Sequence, residues 1–404
     1  MSTTVVVKDL LMKEVIRLLD KDLIIAQMAN TKYEGELKRQ GSTVSVQTFP
    51  NLNLQYGKTA GAAIVADSVT ITSEDLEVDQ VLQGGWTFTD LEQIQTNLDL
   101  LSKYASRIAY AMGNYYDAYI ANEAVVKANS SNQIVPGAPV TLNNTAADAD
   151  NVMTRIGQIA VKLRKQNAFQ MPYLFVNPAV ENLILDSNLY TAFDKGLGYR
   201  ENGVVGKVKG MMVYSTNNLP VRYLLTMTGV AVADETIVFT IAENDATSNT
   251  VTFTAKAAPS AAGEFDIAAN TAAQVAIMIA MINGTGTPGA TNYIALSAAD
   301  RSLMKAANIT ATASGTDKIL ITMGETATLD TLSAGITNGT VGSKGYVLFA
   351  CDKDSVNFVK QENGFKVDDL QGRFTSQVSV ENAYGVKVFT ENAKRISTID
   401  VLNV

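Results

Sequence analysis

The chain has no histidine, one cysteine and one tryptophan in 404 residues. Each absence removes a class of function. Without imidazole there is no Ser-His-Asp or Cys-His nucleophile, and no zinc or iron site built on histidine ligands. With Cys351 as the sole cysteine, no intrachain disulfide can form. Cys351 closes the apolar run Tyr346–Cys351 and reads as a small buried hydrophobe rather than a nucleophile. A lone Trp86 offers little for sugar stacking, which ranks a glycosidase with paired carboxylates last among the functional readings. Long hydrophobic runs are missing too. The most apolar helical stretch, Ile277–Ile282, is far too short to span a bilayer. Met1–Leu10 lacks the charged start and apolar core of a signal peptide, so synthesis in a cytoplasm is expected. Positive charge is in deficit: 32 Lys and Arg stand against 40 Asp and Glu, a net charge of −8. That balance argues against a protein whose main task is gripping nucleic acid.

What is present is an interruption. Between Leu224 and Lys344 the chain becomes rich in Thr, Ala, Gly and Asn, and it carries four basic residues (Lys256, Arg301, Lys305, Lys318) against ten acidic ones. The flanks hold long helical patterns, aromatics and mixed charge. Surface loops tolerate whole inserted domains, so the pattern predicts a domain at 225–343 set into a body made of 1–224 and 344–404. The length accommodates two or three domains.

Along the body, Leu10, Leu11, Val15, Leu18, Leu19 and Leu23 recur at helical spacing within Val5–Ala29. Ser42–Phe88 reads as a long two-stranded excursion: Val44, Val46 and Thr48 alternate on one limb, Val69, Ile71, Leu76 and Val78 on the other, about a Gly/Ala-rich tip at Gly57–Ser68. Isolated two-stranded ribbons are marginal in water, so this one is expected to rest on something else, a second subunit being a natural candidate. Asp90 reads as a helix cap. Leu91, Ile94, Leu98, Leu101, Ala105, Ile108, Met112 and Tyr119 then recur at spacings of three and four as far as about Lys127, with Tyr110, Asn114 and Tyr115 on the opposite face. Asn129–Asn144 reads as a loop and Ala146–Lys165 as a second helix with Val152, Ile156, Ile159 and Leu163 inward. Tyr173–Val176 is a strand, Asn177-Pro178 opens a short helix, Gly196–Gly210 is loop-like and Met211–Tyr214 is a strand. The interruption reads as a small α+β module, with strands at Thr236–Ile241, Asn249–Ala255, Thr310–Ala313 and Lys318–Met323. Its helices are Thr271–Asn283, capped by Thr271, and Ala298–Ala306. Beyond it come a strand at Gly345–Ala350, a short helix at Lys353–Val359, and strands at Phe374–Val380 and Val386–Phe389 about a turn at Asn382–Gly385.

No constellation supports catalysis, and none calls for a metal or cofactor. Gly57-Lys58-Thr59 resembles the end of a phosphate loop but lacks the leading glycine and the strand–helix frame; Gly203–Lys207 fails because Val208 stands where Ser or Thr is required. Glu74, Asp75, Glu77 and Asp79, or Asp352 and Asp354, could hold a hard cation, but neither set has EF-hand spacing, and solvated surface is the simpler reading. Lys162, Arg164 and Lys165 end a helix. Complementing its dipole is the plain explanation, and contact with nucleic-acid phosphate the alternative.

The order of elements carries a resemblance. The excursion is opened by Gly41-Ser-Thr-Val-Ser-Val46 and closed by Leu76-Glu-Val-Asp79 and Trp86-Thr-Phe88. A long helix follows from Asp90, then Asn177-Pro178, then Gly210-Met-Met-Val-Tyr-Ser-Thr-Asn-Asn-Leu-Pro220, and finally Tyr384-Gly-Val-Lys-Val388. This resembles the major capsid proteins of tailed bacteriophages with the Hong-Kong-ninety-seven-type coat fold, in the branch with an inserted domain. The resemblance covers the body and implies an α+β fold. It assigns 1–40 to an N-terminal arm and 41–88 to an extended loop over an adjacent subunit. It assigns 89–224 and 344–404 to peripheral and axial domains, and 225–343 to the insert. The last strand would close the peripheral sheet. It further implies pentamers and hexamers in an icosahedral shell around double-stranded DNA held without sequence-specific binding. A portal, possible decoration proteins and no membrane complete the partners. A start at Met1 suggests that scaffolding comes from a separate protein. In some relatives a loop lysine is cross-linked to a neighbour's asparagine. Lys58 occupies that kind of place, with Asn357 or Asn382 as conceivable partners, although no motif matches and a solvated lysine is the simpler reading. The competing class is another virion or surface protein, such as a tail or adhesin component, whose insert binds a ligand; the long helix from Leu91 to Tyr119 speaks against a tail tube.

Overall fold

The computed structural model describes residues 24–33, 35, 43–48, 71–89, 100–134, 136–142, 146–166, 172–187, 204–244, 247–289, 291–330, 338–369 and 375–403. The helical pattern of the arm before Ile24, the excursion's tip with Lys58, and the Asp90 cap lie outside these residues. In chain order the elements are β1 (Thr43–Thr48), β2 (Thr72–Glu77), β3 (Gln80–Thr89), α1 (Leu100–Lys127), β4 (Gln133–Ile134), β5 (Val140–Leu142), α2 (Ala146–Lys165), β6 (Tyr173–Val176) and α3 (Pro178–Asp186). Then come β7 (Val204–Val208), β8 (Met211–Ser215), β9 (Val221–Met227), β10 (Thr236–Asn244), β11 (Thr247–Lys256), β12 (Glu264–Asp266), α4 (Thr271–Asn283) and α5 (Ala298–Ala306). The chain continues through β13 (Thr310–Ala313), β14 (Lys318–Met323), β15 (Ala327–Asp330), β16 (Gly339–Val341), β17 (Gly345–Cys351), β18 (Asn357–Asp369), β19 (Thr375–Lys387), α6 (Thr390–Ala393) and β20 (Ile396–Asn403).

Two compact units result. Asn30–Ala109 and Val356–Phe389 belong to the first; Leu19–Ala29, Tyr110–Ser355 and Thr390–Val404 form the second. In the first, β1 and β2 make an antiparallel ribbon from Thr43 opposite Glu77 to Thr48 opposite Thr72. The predicted excursion therefore has its two limbs. Its last part departs from the prediction, because β3 leaves the ribbon and pairs with β19 in a three-stranded sheet ordered β18-β19-β3. The strand expected to close the peripheral sheet is thus the middle of this small one. The predicted turn at Asn382–Gly385 is absent: β19 runs through it, paired with β18 on one side and β3 on the other. Ladder hydrogen bonds on both sides outweigh the local turn preference of Asn and Gly. The predicted helix at Lys353–Val359 also gives way. Asp354 sits in the left-handed region at φ 69°, which breaks any helix, and β18 starts at Asn357.

The second unit is built on an eleven-stranded sheet with the path β13-β14-β9-β17-β6-β8-β7. β17 is its hub, with β20 along one side and β6 and β9 on the other. Val347, Leu348, Phe349 and Ala350 are all buried, as in a strand covered on both faces. β20 was not anticipated. It also gathers β4 and β5 as short parallel partners, so the predicted loop at Asn129–Asn144 contains two strands. β7 likewise stands where a loop was expected. α2 matches its prediction, with Val152, Ile156, Ile159 and Leu163 buried. Asn177 caps α3 by accepting from the Val180 N–H, with Pro178 in the first turn.

Residues 225–343 supply a four-stranded sheet, β12-β11-β10-β15, and also three strands of the large one: β14 lies along β9 with β13 outside it, and β16 pairs with β9 on its other side. The composition change at Leu224 falls inside β9, and one apolar cluster runs from Val221 through Phe239, Phe253, Phe265, Met278 and Ile321 to Leu329. The cap of α4 is Asn270, one residue before the predicted Thr271; its side chain accepts from the Ala273 N–H. Asn283, at the other end of α4, accepts from the Ala311 N–H and donates to the Ala311 carbonyl, closing the outer edge of β13 to further pairing. Among the described residues no helix is long and apolar enough to cross a membrane.

Candidate assembly surfaces

The residues singled out for chemistry do not converge. Cys351 is buried in β17, and burial pushes its thiol up to about 12, the reverse of a reactive thiolate. Asp352 and Asp354 flank a turn; Asp352 is buried, which raises its carboxyl, while Asp354 is held at positive φ. Asp75 and Glu77 of β2, and Asp79 just beyond its end, are exposed, with Asp75 accepting from the Ser45 hydroxyl at 2.5 Å. Among the described residues no group of three or more His, Cys, Asp or Glu side chains could hold a metal ion. Asn357 is buried and committed, its amide oxygen accepting from Asn30 Nδ2 at 2.8 Å and its nitrogen donating to the Lys387 carbonyl.

What the structure builds instead is support for exposed, extended segments. The ribbon turns Val44, Val46, Leu76 and Val78 to one side, where they meet Val359, Phe389 and Tyr33. Its other face is polar and solvated. Leu76 is fully buried, so the ribbon is seated firmly at its base only. Gly385 makes the seat possible: a Cβ there would lie 2.0 Å from the Glu77 carbonyl oxygen. Burying so little apolar surface, the ribbon gains stability mainly from cross-strand pairs, each on the order of 0.2–1 kcal/mol.

In the second unit, Asp117 of α1 grips a segment within the predicted arm, Ile24–Ala26. Its two carboxylate oxygens accept from the N–H groups of Ile24, Ile25 and Ala26 at 3.0–3.2 Å. Burial raises its carboxyl to about 6 against the lowering effect of those three donors. Deeper still, Arg222 of β9 and Asp400 of β20 form a buried pair at 3.1 Å, and Asp400 also accepts from the Gly137 N–H at 2.6 Å. Burial pushes Asp400 up and Arg222 down, and their mutual attraction opposes both shifts. Both residues stand in apolar strands, where an unexplained charge was the available signal; periodicity could not pair them across 178 residues.

The second unit also has an open cleft of about 570 Å³, lined by Tyr110, Asn114 and Tyr115 of α1 together with Asn218, Leu303 and Glu325. Tyr110 and Tyr115 are 62% and 45% exposed, on the helix face expected to be bare. Asn218 donates to Asn114 at 3.1 Å across its wall. Exposed tyrosines beside apolar wall residues are characteristic of protein contact surfaces. Lys162, Arg164 and Lys165 end α2 as read, with Lys162 donating to the Ser131 carbonyl.

Comparison with known proteins bears on these surfaces. Residues 73–240 match the family described as phage capsid protein. No curated protein matches the sequence. Among solved structures, the chain resembles one from Mycobacterium phage Che8 at 14% identity and TM-score 0.48, covering 93% of this chain and 90% of that one. A subunit of the bacteriophage PhiM1 mature capsid is similar at 11% identity and TM-score 0.49, over 93% and 88% of the two chains. The capsid of cyanophage P-SCSP1u gives 12%, 0.49, 95% and 89%. The matched residues run from the ribbon's second strand through β3, the long helix α1 and the sheet strands to β10, and over that stretch the chain is similar to the phage capsid protein family.

Proposed function

We propose that the protein assembles into pentamers and hexamers that close an icosahedral shell around double-stranded DNA, held without sequence-specific binding. Assembly takes place in the host cytoplasm. A separate scaffolding protein and a portal are its partners, and decoration proteins can bind outside. The ribbon carries this reading: β1 and β2 rest on a small apolar seat whose buried members are Leu76, Val359 and Phe389, with Tyr33, Val44, Val46 and Val78 partly buried around them, and a ribbon with so small a core gains stability from a neighbouring subunit. In this reading the excursion 41–88 overlies the adjacent subunit and Lys58, near its tip, contacts that neighbour. Residues 225–343 are an insertion into the coat body at β9, fused to it through a shared core. The role is structural, and chemistry is not required of it.

Negative-stain microscopy tests the proposal on the protein expressed alone and with its neighbouring genes. Closed shells or hexamer sheets are expected. Uniform monomers even with the scaffolding candidate present would overturn it in favour of a tail or adhesin component. Denaturing gels of whole particles test Lys58 separately: bands at monomer mass only would leave it a non-covalent contact.

A further inference from the structure

We propose that the C-terminal end of α2 and the β7–β8 turn form a docking surface for the phosphate backbone of nucleic acid, an inference that rests on the reading of the protein as a shell around DNA. Five cations lie on these two segments: Lys162, Arg164 and Lys165 in the last turn of α2, and Lys207 and Lys209 on the hairpin. The hairpin joins Val208 to Met211 through Lys209 and Gly210, at φ 52° and 88°. Two consecutive left-handed residues are the tight turn that suits the twist of an antiparallel pair, and lysine is an unusual choice for the first of them. Arg164 Nη2 donates to the Lys209 carbonyl at 3.2 Å, fastening the turn to the helix end. Val208 is buried while Lys207 and Lys209 on either side of it are exposed, and Lys165, next to Arg164 at the helix end, is exposed too.

Among the described residues, none of the five has a carboxylate within ion-pair distance. The helix dipole explains only part of the cluster, because a helix C-terminus is worth roughly half a negative charge. The acidic residues of α2, Asp148 and Asp150, belong to its opposite end, about 22–26 Å along the axis from Lys165. The patch is thus a local reversal of sign on a chain of net charge −8. Next to it the outer face of α2 continues through Thr154, Gly157, Gln158 and Val161, an uncharged shallow hollow that Lys162 and Lys165 border. A surplus of cations without carboxylate partners selects a repeating anion. The described residues of the patch include no aromatic side chain to stack on a base. The contact is therefore to phosphates, independent of sequence and sensitive to salt, which suits a container that must release its contents.

The test measures binding of a random-sequence duplex of about 24 base pairs to the purified full chain at several salt concentrations, with melting curves as a folding check. K165A/K209A, which leaves the carbonyl contacts of Lys162 and Arg164 in place, should bind roughly tenfold more weakly at about 50 mM salt. Its plot of log affinity against log salt should be shallower by about 1 to 2. K165R/K209R keeps the charge and should bind as the native chain does. K305A/K318A removes the same charge elsewhere and should change affinity by less than about twofold. Equal losses in K165A/K209A and K305A/K318A would overturn the docking surface, as would a patch variant that keeps its affinity for the duplex. If that variant instead loses binding to poly-glutamate, the patch belongs to an acidic protein segment. Either result would leave the shell reading intact if the native chain still forms particles with its scaffold; absence of particles would sink that reading independently.

Discussion

The two units solve the same problem in different ways. In the second, β17 is buried on both faces and one apolar cluster continues from β9 into residues 225–343, so its stability is internal. In the first, a ribbon and a three-stranded sheet are long in hydrogen bonds and short in core, with Leu76, Val359 and Phe389 as the buried cluster beneath the ribbon. Backbone pairing fixes the shape of a sheet, but burial of apolar area supplies most of the favourable free energy. A segment shaped by pairing and lacking burial is poised to gain that burial from another molecule.

The comparison breaks most visibly at the buried pair. Asp400→Ala should leave Arg222 charged, buried and unpaired, costing the second unit about 3–5 kcal/mol in denaturant unfolding, and Arg222→Met with Asp400→Leu should recover most of it. Gly385→Ala probes the opposite case. Its Cβ collides with the Glu77 carbonyl, so an overpacking cost of about 1–3 kcal/mol should fall on the ribbon's seat alone. Particle yield should drop while the unfolding midpoint of the second unit stays unchanged; a shift of that midpoint would show that the units are not energetically separate.

Asp117 gives a pH dependence. Its carboxyl is raised from 3.8 to about 6 by burial, so between those values the folded chain holds a proton that the unfolded chain releases. Stability should therefore rise as pH falls from about 7 through 6 and level off near 4, by an amount on the order of 3 kcal/mol. Asp117→Asn should flatten that slope; a slope of the opposite sign would mean that the three amide donors outweigh desolvation. The smallest expected effect is Asn270→Ala, which removes the cap of α4 and should cost about 1 kcal/mol. Because α4 shares the core of β9, the loss should appear in the same cooperative transition as the large sheet. A separate early transition would show that residues 225–343 unfold on their own.

The sequence by itself determined the elements whose own residues decide them. α2, α4 and α5 lie where the period of three and four placed them, and β13 and β14 where alternation did, because each buries a face that its own pattern defines. Absent histidine and solitary cysteine excluded whole classes of chemistry before any fold was known, and the order of elements pointed to a coat protein. Tertiary structure decided what depends on distant partners. β19 continues through Asn382–Gly385 because two neighbours satisfy its backbone, and β4, β5 and β7 are strands because β20 and β8 lie beside them. The pairing of Arg222 with Asp400, the hold of Asp117 on Ile24–Ala26, and the bond from Arg164 to the Lys209 carbonyl depend on contacts between residues far apart in the chain. No local pattern encodes such contacts, since they form only when the chain has closed its long loops around a common core.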